Sequence, residues 1–223
     1  MAPFEAHTAL QQRDVQSERD DAQPDAGEAR TAVSRDEAEA AVRTLLTYIG
    51  ENPDREGLAD TPMRVVKTYD EFFAGYGQDP EDILARTFEE TDGYDEMIVL
   101  NGIEFVSHCE HHMVPIIGTA YIGYLPHHRV VGVSKLARVL EVYAKRLQIQ
   151  ERLTAQVANS IHEVLQPRGV AVVLKSQHQC MATRGVRQPS AQMVTSRMIG
   201  AFREDRATRQ EFESMAGLNR TAP

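Results

Sequence analysis

The chain contains no tryptophan and only two cysteines among its 223 residues. Two thiols cannot build a disulfide framework, so free thiols or metal ligands are the readings left open. No apolar run approaches the roughly 20 residues that a bilayer crossing needs. The N-terminus has no basic segment leading into an apolar one, so no secretory signal is expected. Both absences point to the cytoplasm, without membrane partners. There is no G-x-x-x-x-G-K-[ST], which excludes a P-loop, and no H-E-x-x-H metalloprotease helix. His108-x-Glu110 matches the first half of the nucleobase deaminase signature, but its P-C-x-x-C half is missing. No internal repeat is visible.

Charge is unevenly spread. The net value is −9, yet residues 105–223 hold fifteen basic and eight acidic side chains. Residues 1–40 hold ten acidic and four basic, and residues 41–104 fifteen acidic and five basic. A basic half in an acidic protein suits a polyanionic ligand, with solvated helix faces as the plain alternative. Nucleic acid is not expected, because the chain as a whole would repel it.

Residues 1–33 are polar and acidic without a sustained period, which predicts a disordered tail. Ser34 and Glu37 have capping-box spacing. Val42, Leu45, Leu46 and Ile49 follow at helical intervals until Gly50 and Pro53. A second helix is expected from Thr61-Pro62, with Thr61 as N-cap and apolar Val65, Tyr69, Phe72 and Phe73. Residues 34–95 therefore read as an N-terminal helical region.

From 96 to 223 the pattern changes. Met97–Leu100, Ile103–Val106, Ile116–Tyr124 and Arg129–Val133 read as strands. Two helices follow, marked by Leu136, Val139, Leu140 and Tyr143, then by Leu153, Val157, Ile161 and Leu165. Val170–Leu174 returns to strand, Val194 suits another, and an amphipathic helix is expected over Arg206–Met215. This order gives an α+β domain, an antiparallel sheet with two helices on one face.

The densest chemistry lies in Ser107-His108-Cys109-Glu110-His111-His112, while the second cysteine, Cys180, follows His178 by two residues. A thiolate and an imidazole three residues apart can face one metal, and a remote thiolate can close the set. Sulfur with nitrogen suits zinc, and three protein ligands leave a position for water, as catalytic sites do. A buried thiol and a satisfied core imidazole would explain the same residues. Ser134 is an N-cap candidate, with Lys135 and Arg138 on one face of the first turns. Cations there oppose the helix dipole, so a phosphate cradle competes with surface solubility as their explanation. In Gln148-Ile149-Gln150-Glu151-Arg152, Glu151 is either an ordinary first-turn carboxylate or an acceptor for the guanine N1–H and 2-amino group.

SHCEHHMVPIIG, GVSKLARVLEVYAKRLQIQERLT and HQCMATRGV, in this order, resemble GTP cyclohydrolase I, and the likeness runs from about Glu37 to Met215. DREGLADTPMRVVKTYDEFFAGY in the helical region fits as well. The resemblance implies a T-fold (tunnelling fold) domain behind an N-terminal helical part. It implies a toroidal homodecamer with active sites at subunit interfaces. By position it makes Cys109, His112 and Cys180 zinc ligands and His111 and His178 catalytic. Gln150 and Glu151 fall at purine-recognition positions with Ser134 nearby, and Lys135, Arg138, Arg184 and Arg64 at triphosphate positions. The implied reaction converts GTP to 7,8-dihydroneopterin triphosphate and formate, the first step of tetrahydrofolate or pterin biosynthesis. Water activated by zinc attacks C8, and a histidine protonates N7. One departure is Met193, where relatives usually carry Thr; it is expected to touch none of the carried-over residues. Two rivals remain: a same-fold enzyme that opens GTP but ends at a cyclic phosphate, and a non-catalytic nucleotide-binding paralogue.

Overall fold

The computed structural model describes residues 33–85, 87–88 and 94–219. The expected tail, apart from Val33, lies outside the described residues. Helix α1, Arg35–Tyr48, starts with the expected capping box. Ser34 Oγ accepts from the Glu37 amide at 3.2 Å, and the Ser34 amide donates to the Glu37 carboxylate at 2.8 Å. No α1 residue is buried, and its neighbour is α2, Thr61–Phe72. Here the sequence reading needs a correction. Asp60 takes the N-cap position without a side-chain capping bond, and Thr61 is already helical. The Asp60 carboxylate accepts from Arg64 at 3.2 Å instead. A 3₁₀ turn, Ala74–Gly77, and the short helix α3, Pro80–Leu84, complete this region.

The two-residue strand β1, Thr87–Phe88, pairs with β4, Val130–Val131. The main sheet contains β2 (Ile98–Cys109), β3 (Pro115–Leu125), β5 (Leu147–Gln148), β6 (Gly169–His178) and β7 (Met193–Gly200). Its order is β5-β2-β3-β6-β7, antiparallel except for the β5–β2 pair. The two strands expected at Met97–Leu100 and Ile103–Val106 are one continuous β2. Its register with β3 shifts between Leu100 and Ile103, where Gly102 has φ +73°. A bulge therefore interrupts the hydrophobic alternation without ending the strand.

Helices α4 (Val133–Ala144) and α5 (Gln150–Leu165) lie between β3 and β6 in sequence and cover one sheet face. Four antiparallel strands with this helix pair inserted at the middle form the T-fold. Leu136, Val139 and Leu140 of α4 meet Leu153, Val157 and Ile161 of α5 over Phe105, Ile116, Ile122, Val172 and Leu174. Each such side chain contributes about 1.5–3 kcal/mol by leaving water. Strand β6 is apolar on both faces because both are covered. Val170, Val172 and Leu174 point to α4 and α5. Ala171 and Val173 belong to a second cluster, with Phe202 of α7 (Ala201–Glu204) and Phe212 of α8 (Arg206–Met215). The amphipathic helix expected over Arg206–Met215 is α8.

Candidate active site

Three segments converge at one corner of the sheet. The first is the end of β2. After Cys109 the chain makes a tight turn: the Met113 amide donates to the Cys109 carbonyl at 2.7 Å, and the Cys109 amide to the Val114 carbonyl at 2.9 Å. Met113 closes it at φ 54°, a left-handed conformation that costs a non-glycine residue about 1–2 kcal/mol. The second is the end of β6. His178 is paired with Ile116 at the start of β3, so the chain beyond His178 arrives beside that turn. Cys180 sits there in the single-turn helix α6, Gln179–Ala182. The third is β5, where Gln148 pairs with Cys109 and its carbonyl accepts from the Glu110 amide at 3.0 Å. That strand delivers the N-terminus of α5, with Gln150 and Glu151.

Cys109, His112 and Cys180 present ligand atoms that all lie within 4.8 Å of one another. Cys109 Sγ lies 3.8 Å from His112 Nδ1 and 3.6 Å from His111 Nδ1. Cys109 is buried, Cys180 half-buried and His112 exposed. Burial, and then the neighbouring Cys109, push the Cys180 thiol up from its ordinary value. A divalent cation held between the two sulfurs would offset that shift at Cys180, since a coordinating thiol is deprotonated outright. The donor set thus fits a metal. Arg184 Nη1 stands 3.0 Å from His112 Nε2, which brings this arginine to the same corner.

These ligands share a cavity of about 390 Å³ with Glu110, His111, Gln148, Gln150, Glu151, His178 and Met193. Burial pushes the His178 imidazole down from its ordinary value, and the Glu151 carboxylate opposes the shift. Glu151 is exposed. Gln150 is fully buried, with its carboxamide bonded on every side by the protein. His108 leaves the histidine run: strand alternation turns it to the opposite face from Cys109. It packs against Phe72 and Phe73, with ring centroids 4.4 and 5.3 Å away.

Met193 needs a second correction. It was expected to touch none of the carried-over residues, yet it lines this cavity, and its carbonyl accepts from Gln150 Nε2 at 3.2 Å. The acceptor is backbone, so any residue type supplies it. The sequence reading also missed Arg152, whose guanidinium pairs with the Glu110 carboxylate and donates to Gln148 Oε1 at 3.3 Å. Glu110 is 42 residues away, and no local pattern announces such a pair.

Ser134, Lys135, Arg138 and Arg64 are not among the residues lining the cavity. Helix α4 has Gly132 as N-cap, so Ser134 is a first-turn residue and not the expected cap. The reason is local: the Gly132 carbonyl already accepts from the Lys135 amide at 2.8 Å. Helix α4 starts beyond the far end of β3, whereas the cavity lies at the beginning of β3. Arg64, exposed on α2, is paired with Asp60.

Sheet order, helix pair and a Cys2His corner together define a T-fold protein with a candidate metal centre. Residues 38–217 match the GTP cyclohydrolase I family, and the chain belongs to that family. It is 51% identical over 193 residues to GTP cyclohydrolase 1 of Maricaulis maris (strain MCS10), covering 85% of this chain and 94% of that protein. It is 56% identical over 168 residues to GTP cyclohydrolase 1 of Brucella suis (strain ATCC 23445 / NCTC 10510), covering 75% and 79%. Among solved structures, the archaeosine synthase QueF-Like in the apo form aligns with 48% of this chain and 96% of its own, at 15% identity and a TM-score of 0.41.

Proposed function

We propose that this protein is a zinc-dependent GTP cyclohydrolase I that converts GTP to 7,8-dihydroneopterin triphosphate and formate, opening tetrahydrofolate or pterin biosynthesis. The observation that carries the reading is one cavity holding the Cys109, His112 and Cys180 cluster together with His111, His178 and Glu151. Two sulfurs and one imidazole select zinc over magnesium or calcium. Bound there, zinc supplies Lewis acidity that lowers the pKa of water toward neutrality. Cys109, His112 and Cys180 hold it.

The chain's other groups set up the base. Glu151, at the N-terminus of α5, accepts from the guanine N1–H and 2-amino group. Gln150, whose carboxamide is already engaged, contributes to purine binding through its backbone. That orientation turns C8 and N7 toward the zinc corner. His111 and His178 exchange protons with the substrate, one of them at N7 as C8 is attacked. A second hydrolysis then releases formate, and the opened ribose recloses on the pyrimidine amines.

Arg184 takes the triphosphate from the same chain. Ser134, Lys135, Arg138 and Arg64 do not line the cavity of their own chain, which supports a site completed by a neighbouring subunit in a ring-shaped homodecamer. In this reading residues 34–95 form a helical region beside a catalytic domain spanning 96–223. The enzyme works in the cytoplasm; no helix among the described residues is long and apolar enough to cross a membrane.

The test is product analysis. Protein with zinc and GTP should release formate and a dihydropterin that keeps its linear triphosphate, read by mass spectrometry and an enzymatic formate assay. Formate with a cyclic phosphate and pyrophosphate identifies the same-fold relative instead. GTP binding without formate identifies a non-catalytic paralogue.

A further inference from the structure

Gln150 is one of the few polar side chains in the interior, fully excluded from solvent. A carboxamide has one accepting end and one donating end, and its surroundings decide which faces where. Gln150 Nε2 lies 3.2 Å from the Leu174 carbonyl, 3.2 Å from the Met193 carbonyl and 3.0 Å from Thr195 Oγ1. Two of those three partners are backbone carbonyls, which only accept. Reversing the amide would set an oxygen against two carbonyl oxygens in a buried place, with no hydrogen between them, at about 1–3 kcal/mol for each lost hydrogen bond. The NH2 end is therefore locked toward β6 and β7.

The oxygen end is fixed by the same constraint, and it faces two groups. Ser176 Oγ donates to it, and His178 Nε2 lies 2.9 Å away. A carboxamide oxygen has no hydrogen to give, so Nε2 of His178 must carry one. Hydrogen-bonding capacity carries this reasoning from backbone carbonyl to amide to imidazole.

We infer that Gln150 is a positioning residue that locks His178 with its hydrogen on Nε2, leaving Nδ1 as the nitrogen that exchanges a proton with the substrate. The inference rests on the proposed role of His178. It gives Gln150 a task distinct from holding the purine. A neutral imidazole free to rotate would present either nitrogen; this one presents a single nitrogen in a single tautomer. The third link, Thr195, lies on β7 and ties the lock to the sheet edge.

The experiment combines kinetics with spectroscopy on the zinc-loaded, full-length protein. Gln150→Met keeps the length of the side chain and removes both hydrogen-bonding ends. It should lower kcat about 10- to 100-fold, the usual cost of losing a partner that orients a functional imidazole. KM for GTP should change less than about 3-fold, and zinc per chain should stay at the wild-type level, because no ligand or base contact is removed. In a His178→Ala background the same substitution should have no further effect on kcat. A raised KM with unchanged kcat would return Gln150 to purine binding. An undiminished kcat effect in the His178→Ala background would disconnect it from His178. Either result overturns the inference.

Removing a buried amide can also prevent folding, so a measurement on the unaltered protein stands beside it. In 15N-histidine-labelled enzyme, the His178 ring signals, identified by their loss in His178→Ala, should show the hydrogen on Nε2. Hydrogen on Nδ1 with Nε2 bare would sink the inference without any variant. Failure of the functional reading itself would look different: wild-type protein would release no formate from GTP, whatever the tautomer.

Discussion

A β-carbon placed on Gly75 would lie 2.0 Å from the carbonyl oxygen of Val142, near the C-terminal end of α4. The 3₁₀ turn after α2 is seated on the end of α4 at this point. Around it the Gly75 amide donates to the Lys145 carbonyl at 3.1 Å, and Arg146 Nε donates to the Gly75 carbonyl at 3.1 Å. The Leu147 amide donates to the Tyr76 hydroxyl at 3.1 Å. All of this lies just before β5, the strand that sets the start of α5.

Gly75→Ala should therefore destabilise by about 1–3 kcal/mol, since the clash is with rigid backbone on both sides. In a domain of this size that corresponds to a fall in Tm of about 2–4 °C per kcal/mol. Thermal unfolding followed by circular dichroism reads it. A variant as stable as the parent would show that the helical region is not held at this contact.

Cys180→Ala should abolish metal binding while leaving the fold intact. Cys180 stands half-buried on a one-turn helix outside the strand pairing and packs only against the margin of the main core, so the loss of one sulfur leaves the fully buried layers in place. The parent should carry about one zinc per chain, and the variant almost none, by elemental analysis after dialysis. Activity should fall with the metal. Full turnover in a metal-free preparation would contradict the Cys2His assignment.

The sequence reveals this site unequally. The capping box at Ser34 was legible because both partners lie three residues apart. The longer helices α1, α2, α4, α5 and α8 were legible from their period and the long strands from their apolar runs, while the bulge at Gly102 made β2 read as two strands and the two-residue β5 gave no signal. Cys109 and His112 could be paired by spacing; Cys180 was available as the remote thiolate, but it is the β3–β6 register that brings it to them. Gln150 could not be understood locally. Its partners Leu174, Ser176, His178, Met193 and Thr195 lie 24 to 45 residues away, and they decide which end of its amide faces the histidine. Thr61 and Ser134 failed as caps for the opposite reason. Their residue type was right, but neighbouring groups already supplied the helix start.

Glu151→Ala should lower kcat/KM for GTP by at least about 100-fold, because the guanine donors would lose their charged acceptor. The variant should also stop distinguishing GTP from inosine triphosphate, which lacks the 2-amino group. Retained discrimination would move purine recognition to another residue.

The last prediction concerns the division of the site between chains. Cys180 lines the cavity at the start of β3, whereas Lys135 and Arg138 lie on α4, which begins beyond the other end of that strand. If a neighbouring chain supplies the α4 cations, Cys180→Ala and Lys135→Ala damage opposite halves of each shared site. Each variant alone should be nearly inactive. Unfolded and refolded together in equal amounts, they should form mixed rings in which a site draws its halves from two different chains. Random assortment leaves about one site in four with both halves intact, so the mixture should recover about a quarter of parental activity. Simple mixing without subunit exchange should recover nothing, which controls for residual activity in either variant. Were both halves to come from one chain, every site in the mixed ring would carry a lesion, and refolding would restore no activity.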